Sequence, residues 1–244
     1  MSVKIRFLGT GNAFADGGRS HACIHLEATG ASLLLDCGGS SLPAIKKAMD
    51  PATVQAIAIS HLHGDHFGGV PYFLMEQYFA GRKAPLAIGG PRELQQRATR
   101  AGEALYKDFF GKITIDYGLS FITLKETPVS LGGAEVSALP VKHVAESDPH
   151  GLRVKIDGKL IAYSGDARFS DELVDLAKGA DLFICESTNY AKSDSAHLSY
   201  KELLANRAKL DCGRMILTHL GAETQSHIAE LEIEAAQDGM LITL

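Results

Sequence analysis

The sequence predicts an α/β chain built as a four-layer αββα sandwich, and three observations predict it. Short apolar runs with strand-like patterning occur in both halves of the chain. Segments of mixed apolar and charged residues, which suit helices lying on a sheet, fall between them. No linker, low-complexity tract or internal repeat interrupts the 244 residues, so residues 1–244 are expected to form one domain. Two sheets that meet face to face and carry helices outside give the four layers.

Taken in order, Val3 to Phe7 alternates like a strand, and the runs Ala22 to Leu26 and Ser32 to Leu35 read as two more. Leu42 to Met49 is helix-like and leads into the apolar run Ala56-Ile57-Ala58-Ile59, a buried strand, so the chain opens as βββαβ. Pro71 to Phe79 and Arg92 to Leu105 fit helices over that sheet. Further on, Arg153 to Ile156 and Lys159 to Tyr163 flank Asp157-Gly158, a hairpin signal. The last third alternates: Asp171 to Ala177 helix, Leu182 to Cys185 strand, Tyr200 to Lys209 helix, Met215 to Thr218 strand, Ile228 to Ala236 helix and Leu241 to Leu244 strand.

Chemistry concentrates directly after the buried strand, in His61-Leu62-His63-Gly64-Asp65-His66. A lone histidine is usually a solvated or core-satisfied side chain. Four metal-capable residues at this spacing arise by chance with a probability on the order of one in a hundred thousand at a given start position, which favours a metal site. Three more segments share the same grammar, an apolar run ending in a ligand-type residue: Val136 to His143, Leu160 to Asp166 and Met215 to His219. Strand ends are where open sheets of alternating elements present their functional groups. Together the segments supply seven candidate ligands.

In this order of motifs the chain resembles the metallo-β-lactamase fold hydrolases. The likeness runs from Phe7-Leu8-Gly9-Thr10-Gly11 through Leu34-Leu35-Asp36-Cys37-Gly38 to Asp238-Gly239-Met240. Within that superfamily it is similar to the ribonuclease Z-like branch, which contains tRNA 3′-processing nucleases and cyclic phosphodiesterases. The resemblance implies that His61, His63 and His143 hold one metal, that Asp65, His66 and His219 hold a second, and that Asp166 bridges them. It also implies catalytic roles for Asp65 and for a dyad of His197, facing the scissile phosphate, and Glu186, orienting it. The expected cofactor is a pair of divalent ions, Zn²⁺ best suiting the His-rich set, with Mn²⁺, Fe²⁺ or Co²⁺ as substitutes. Two such ions, two carboxylates and a bridging hydroxide leave about +1, which favours an anionic substrate and hydrolysis at neutral pH.

Asp36, at the end of Ser32 to Leu35, is expected either to orient a ligand histidine or to cap local backbone. A net charge of −5 argues against a broad polyanion footprint. Processing ribonucleases Z of one major form carry a long arm between the positions matching His143 and Asp166, and here that interval is short. The expected substrate is therefore a small or cyclic phosphodiester. RNA as substrate, and a lactonase, β-lactamase or thioesterase chemistry on the same fold, are the alternatives. Oxygen-reducing relatives need a flavin domain and have Glu where this chain has His63. No stretch of about twenty apolar residues occurs and the N-terminus lacks a secretory pattern, so a cytoplasmic protein without membrane contact is expected. Cys23, Cys37, Cys185 and Cys212 are scattered and read as small buried residues. Gly11 to His21 and Gly102 to Gly118 are the expected lid, with Arg19, His21, Tyr106 and Lys107 as candidate ligand contacts. A homodimer is suggested by the resemblance alone.

Overall fold

The run Leu33-Leu34-Leu35 has no exposed face, and the reason is visible in how its side chains divide. Leu33 and Leu35 enter a core shared with Val136, Val154 and Ile184, whereas Leu34 joins Ile45, Phe73 and Leu74 on the other side. A strand covered on both faces must be apolar at every position. The computed structural model describes residues 2–108 and 115–244. Among these, fourteen strands form two seven-stranded sheets.

The first sheet contains β1 (Lys4–Gly9), β2 (Cys23–Ala28), β3 (Ala31–Leu35), β4 (Ala56–Ala58), β5 (Leu86–Gly90) and β6 (Leu119–Thr123), with β14 (Leu241–Thr243) added beside β1. The second runs β7 (Val129–Leu131), β8 (Ala134–Pro140), β9 (His150–Ile156), β10 (Lys159–Tyr163), β11 (Ala180–Glu186), β12 (Cys212–Thr218) and β13 (Glu234–Ala235) in sequential neighbour order. Each sheet is antiparallel at its start and becomes parallel, at β3–β4 in the first and β10–β11 in the second. The β9–β10 hairpin pairs Ile156 with Lys159, and Asp157 (φ 48°) and Gly158 (φ 79°) form the two-residue turn their types favour.

Helices cover the outer faces. On the first sheet lie α1 (Ser41–Ala48), α3 (Val70–Phe79) and α4 (Leu94–Leu105), reached through the short α2 (Gly64–Phe67), and they bury Ile45, Val70, Phe73, Leu94 and Ala98 against Leu34, Ile57 and Ile88. On the second, α5 (Asp171–Ala177) and α6 (Tyr200–Ala205) bury Leu173, Leu176, Tyr200 and Leu203 against Phe183, Cys185 and Leu217. Each fully buried Leu, Ile or Phe contributes about 1.5–3 kcal/mol, so these three apolar layers hold the sandwich together. Ser170 and Ser199 accept hydrogen bonds from Leu173 N and Glu202 N, which start α5 and α6 where the sequence changes from loop to amphipathic pattern.

One expected element differs. Residues 228–236 form a single 3₁₀ turn (Ile228–Glu230) followed by β13, which pairs with β12 at Ile216 and Leu217. Leu231-Glu232-Ile233-Glu234 alternates apolar and acidic residues with period two, and Ile233 is buried between exposed glutamates. The edge of the sheet, not helical pairing, satisfies this backbone. The helix from Tyr200 likewise stops at Ala205 and continues as a 3₁₀ turn over Arg207–Lys209. All four cysteines are free, three of them buried, and no helix among the described residues is long and apolar enough to cross a membrane.

Candidate metal centre

The strands β3, β4, β8, β10, β11 and β12 all end at one rim of the sandwich, and the next few residues of each deliver a polar side chain to a common point. Asp36 follows β3, His61 to His66 follow β4, His143 follows β8, Asp166 follows β10, Glu186 ends β11 and His219 follows β12. The seven expected ligands converge in two groups that share Asp166.

In the first group, His63 Nδ1 lies 3.2 Å from His61 Nε2 and 3.1 Å from His143 Nε2. Asp166 Oδ2 is 3.6 Å from His61 Nε2 and 3.8 Å from His143 Nε2. In the second, His66 Nε2 and His219 Nε2 are 3.3 Å apart, each at 3.2–3.3 Å from Asp65 Oδ2 and from Asp166 Oδ1. Ligand bonds of about 2.0–2.1 Å at tetrahedral angles place neighbouring donor atoms about 3.3–3.4 Å apart, which the second group matches at 3.2–3.3 Å and the first brackets at 3.1–3.8 Å. Asp166 Oδ1 is buried without a hydrogen-bond partner among the described residues, an arrangement that costs stability unless a cation faces it. The residues therefore fit divalent metal ions, with Asp166 common to both donor groups.

The electrostatics agree with that fit. Burial, reinforced by the neighbouring His66, holds His61 well below the ordinary imidazole range, so it is neutral and free to ligate. Burial and His143 lower His63 in the same sense. Burial opposes charge on His66 too, but Asp166, Asp65 and Asp36 outweigh it and raise the ring well above its usual value. Those carboxylates favour positive charge at that point, whether carried by a proton or a metal.

Every inward-facing Nε2 has its Nδ1 tied behind it. His66 Nδ1 donates to Asp36 Oδ2 at 2.7 Å, and His61 Nδ1 donates to Ser60 Oγ at 3.0 Å, whose own proton goes to Asp36 Oδ2 at 2.8 Å. His143 Nδ1 donates to the Ala196 carbonyl at 2.8 Å, and His219 Nδ1 meets Thr188 Oγ1 at 2.9 Å. Such partners fix the tautomer that leaves Nε2 free for metal. Asp36 accepts two further bonds, from Ser60 N at 2.7 Å and the Tyr163 hydroxyl at 2.7 Å. Its contacts are those of the first expected role: the carboxylate holds His66 directly and His61 through Ser60. Asp36 (φ 58°) and His219 (φ 56°) both hold left-handed backbone, a conformation sparsely used outside glycine and concentrated at functional sites.

Glu186 and His197 come together as expected, with His197 Nδ1 3.0 Å from Glu186 Oε1 and 3.9 Å from Asp166 Oδ2. Burial opposes charge on His197, but the hydrogen bond and charge of Glu186, helped by Asp166 and Asp194, lift it to about 9. Beside it opens a cavity of about 280 Å³ lined by His197, His219, Asn189, Asn12 and Phe14. Sequence reasoning missed Ser60, Tyr163, Thr188 and Phe14. Ser60 ends an apolar run immediately before His61 and Thr188 follows Glu186 by two, signals that sit beside known motifs, whereas nothing local marks Tyr163.

Of the expected lid, Gly11 to His21 does border the cavity, through Asn12, Ala13, Phe14 and Asp16. Arg19 turns away and donates to Thr10 Oγ1 and the Ala236 carbonyl, and His21, Tyr106 and Lys107 do not line the cavity. Residues 109–114 of the second lid segment lie outside the described residues. A larger cavity of about 520 Å³ between Arg6, Leu8, Pro43 and Lys47 contains none of the converging donors, whereas His219 and His197 line the smaller one.

Compared with known proteins, residues 3–238 match the family model described as anti-Pycsar protein Apyc1. A ribonuclease Z from Methanothermobacter thermautotrophicus is 28% identical, with 99% of this chain and 93% of that protein aligned. That alignment runs over 294 positions against 244 residues here, so the relative carries segments this chain lacks. The metallo-β-lactamase fold protein YhfI from Bacillus subtilis superposes with a TM-score of 0.77 at 20% identity, covering 98% of this chain and 99% of that one. Human tRNase Z, short form, also superposes with a TM-score of 0.77, at 24% identity and 98% coverage of each chain. At these identities the two structures speak for the fold, which is the metallo-β-lactamase sandwich.

Proposed function

The chain belongs to the anti-Pycsar protein Apyc1 family, and from that membership and its paired donor groups we propose that it is a dinuclear metal-dependent hydrolase of small or cyclic phosphodiesters. The observation that carries the reading is the single buried carboxylate of Asp166, whose two oxygens each face a separate set of donors. We assign His61, His63 and His143 to one ion, Asp65, His66 and His219 to the other, and Asp166 to both. The His-rich donors favour Zn²⁺. Two such ions would supply Lewis acidity and would lower the pKa of water toward neutrality.

The chain's own groups do the rest. Asp65 and Asp166 offset part of the metal charge and leave a net positive centre that draws an anionic diester. Glu186 holds His197 by Nδ1, which turns the ring's Nε2 away from the dyad and toward the cavity. A positively charged His197 there stabilises a non-bridging oxygen or delivers its proton to the departing oxygen.

Size and charge favour a small substrate. The cavity is near the lower limit of ordinary ligand pockets, the chain carries a net charge of −5, and between His143 and Asp166 stand only β9, β10 and their short connections. The ribonuclease Z relatives favour a second reading, cleavage of precursor tRNA. Cytoplasmic location accords with both. A side-by-side assay of a chromogenic phosphodiester, a cyclic nucleotide, a lactone and precursor tRNA tests the proposal. Turnover of the small diesters well above the other two supports it. Preference for precursor tRNA or for the lactone overturns it.

A further inference from the structure

Thr188 has so far figured only as the partner behind His219, yet its hydroxyl has four polar neighbours. Glu186 Oε2 lies at 2.8 Å, His219 Nδ1 at 2.9 Å, the His219 carbonyl at 3.2 Å and His197 Nδ1 at 3.3 Å. A hydroxyl has one proton to give and two lone pairs to receive with. The shortest contact is to a fully buried carboxylate, and charge-assisted bonds are the stronger ones, so the proton goes to Glu186. Thr188 Oγ1 is then left as an acceptor, and a ligating His219, with Nε2 turned to a metal, has its only N–H on Nδ1, facing that acceptor.

Glu186 is saturated by the same arrangement. Its Oε2 accepts Thr188 N at 3.0 Å and Thr188 Oγ1, while Oε1 accepts Ala167 N at 3.0 Å and His197 Nδ1 at 3.0 Å. With four donors on four lone-pair sites, neither oxygen is free to reorient. The Thr188 proton being committed, it cannot be donated to His197 Nδ1, so that nitrogen must keep its own proton and give it to Glu186. The direction of every bond follows from the first.

We propose that Thr188 is a positioning residue that locks this one-way hydrogen-bond chain, in which the Asp65–His66–His219 donor set fixes the Nδ1–H bond and the ring orientation of His197 through Thr188 and Glu186. The proposal rests on the metal-hydrolase reading above. It links two parts of the site that share no direct hydrogen bond, the second metal set and the group facing the substrate. Occupation of the second set holds His219 as the Nδ1–H tautomer, and that tautomer reinforces the orientation of the Thr188 hydroxyl toward Glu186.

Thr188→Val keeps the shape of the side chain and removes the hydroxyl; Thr188→Ser keeps the hydroxyl and removes the methyl. Three quantities are measured on the zinc-loaded full chain: side-chain ¹⁵N shifts of His197 and His219, zinc affinity by chelator competition, and kcat and KM on a chromogenic phosphodiester. In Thr188→Val, zinc affinity at the second set falls on the order of 10–100-fold, the His197 Nδ1 shift moves as its bond to Glu186 loosens, and kcat falls about 10-fold or more with KM little changed. Thr188→Ser restores all three to within a few-fold. The proposal is overturned if Thr188→Val leaves the His197 and His219 ¹⁵N shifts and the zinc affinity as in the wild type, or if Thr188→Ser is as impaired as Thr188→Val. Wild-type protein that turns over no phosphodiester speaks against the proposed function alone, because the ¹⁵N and zinc readouts still decide on Thr188.

Discussion

Replacing Asp36 by Asn separates orientation of the ligands from everything else the residue does. The side chain is fully buried and accepts four hydrogen bonds, one at Oδ1 from Ser60 N and three at Oδ2 from Ser60 Oγ, His66 Nδ1 and the Tyr163 hydroxyl. Asn preserves the volume and tolerates the left-handed backbone at φ 58°, so shape and strain change little. With its carbonyl retained on Ser60 N, its NH₂ replaces the oxygen that three donors share. The two hydroxyls can rotate and accept instead. The imidazole has one way to adapt: it moves its proton to Nε2 and accepts at Nδ1, which places a hydrogen where a metal should bind. If it does not adapt, a buried N–H is left unpaired at a cost of about 1–3 kcal/mol. Either branch weakens the His66 donor set on the order of 10–100-fold. Equilibrium competition with a chromogenic chelator, run beside urea unfolding of the metal-free protein, reads both quantities. Asp36→Asn protein that binds both ions with wild-type affinity would refute the orienting role of Asp36.

Three more outcomes are expected. His197→Ala lowers kcat for a phosphodiester by roughly 10²–10⁴-fold with metal content unchanged; loss of metal in that variant would show that His197 is a ligand instead. In the metal-free protein the imidazolium of His197 titrates near 9, and Glu186→Gln brings it back toward the ordinary 6.5, followed by NMR of the ring protons. Because its folded value is raised, the pair's contribution to stability is complete below 6.5 and disappears as pH climbs through about 9, so an unfolding series over that window must show a smaller slope in Glu186→Gln. Gly38→Ala drives a methyl into the Asp65 carbonyl oxygen, so the His61–His66 loop must move. Both metal affinity and thermal stability should fall in that variant, and an unperturbed protein would mean that the loop has slack.

The donors of this centre were legible in the sequence because they obey a local rule. Each ends a short apolar run, and a run that ends at a functional rim carries its own address. Asp36 was legible for the same reason, although only the folded chain decides between its two roles. Tyr163 was not, because its hydroxyl meets Asp36 across 127 residues of sequence and looks in isolation like the last apolar residue of β10. Thr188 and Ser60 lie beside recognised motifs, but a hydroxyl's role depends on which of several neighbours receives its proton, and some of those neighbours, His219 and His197 for Thr188 and Asp36 for Ser60, come from elsewhere in the chain. Phe14 stands 84% exposed at the cavity edge, and an exposed aromatic in a loop has no periodic signature. In the fold, the failure at Ile228 to Ala236 has a plain cause: Glu-rich composition suggested a helix, while the alternation of Leu231 and Ile233 with glutamates served an edge strand.

Metal counting by elemental analysis, on protein purified without chelator and reconstituted with zinc, bears most directly on the two-ion centre. Two ions per chain in the wild type, and a loss of tight binding at both positions in Asp166→Ala, are the predicted results, since one carboxylate serves both sets. A wild-type chain that holds no zinc, or an Asp166→Ala chain that keeps two ions undiminished, contradicts the account.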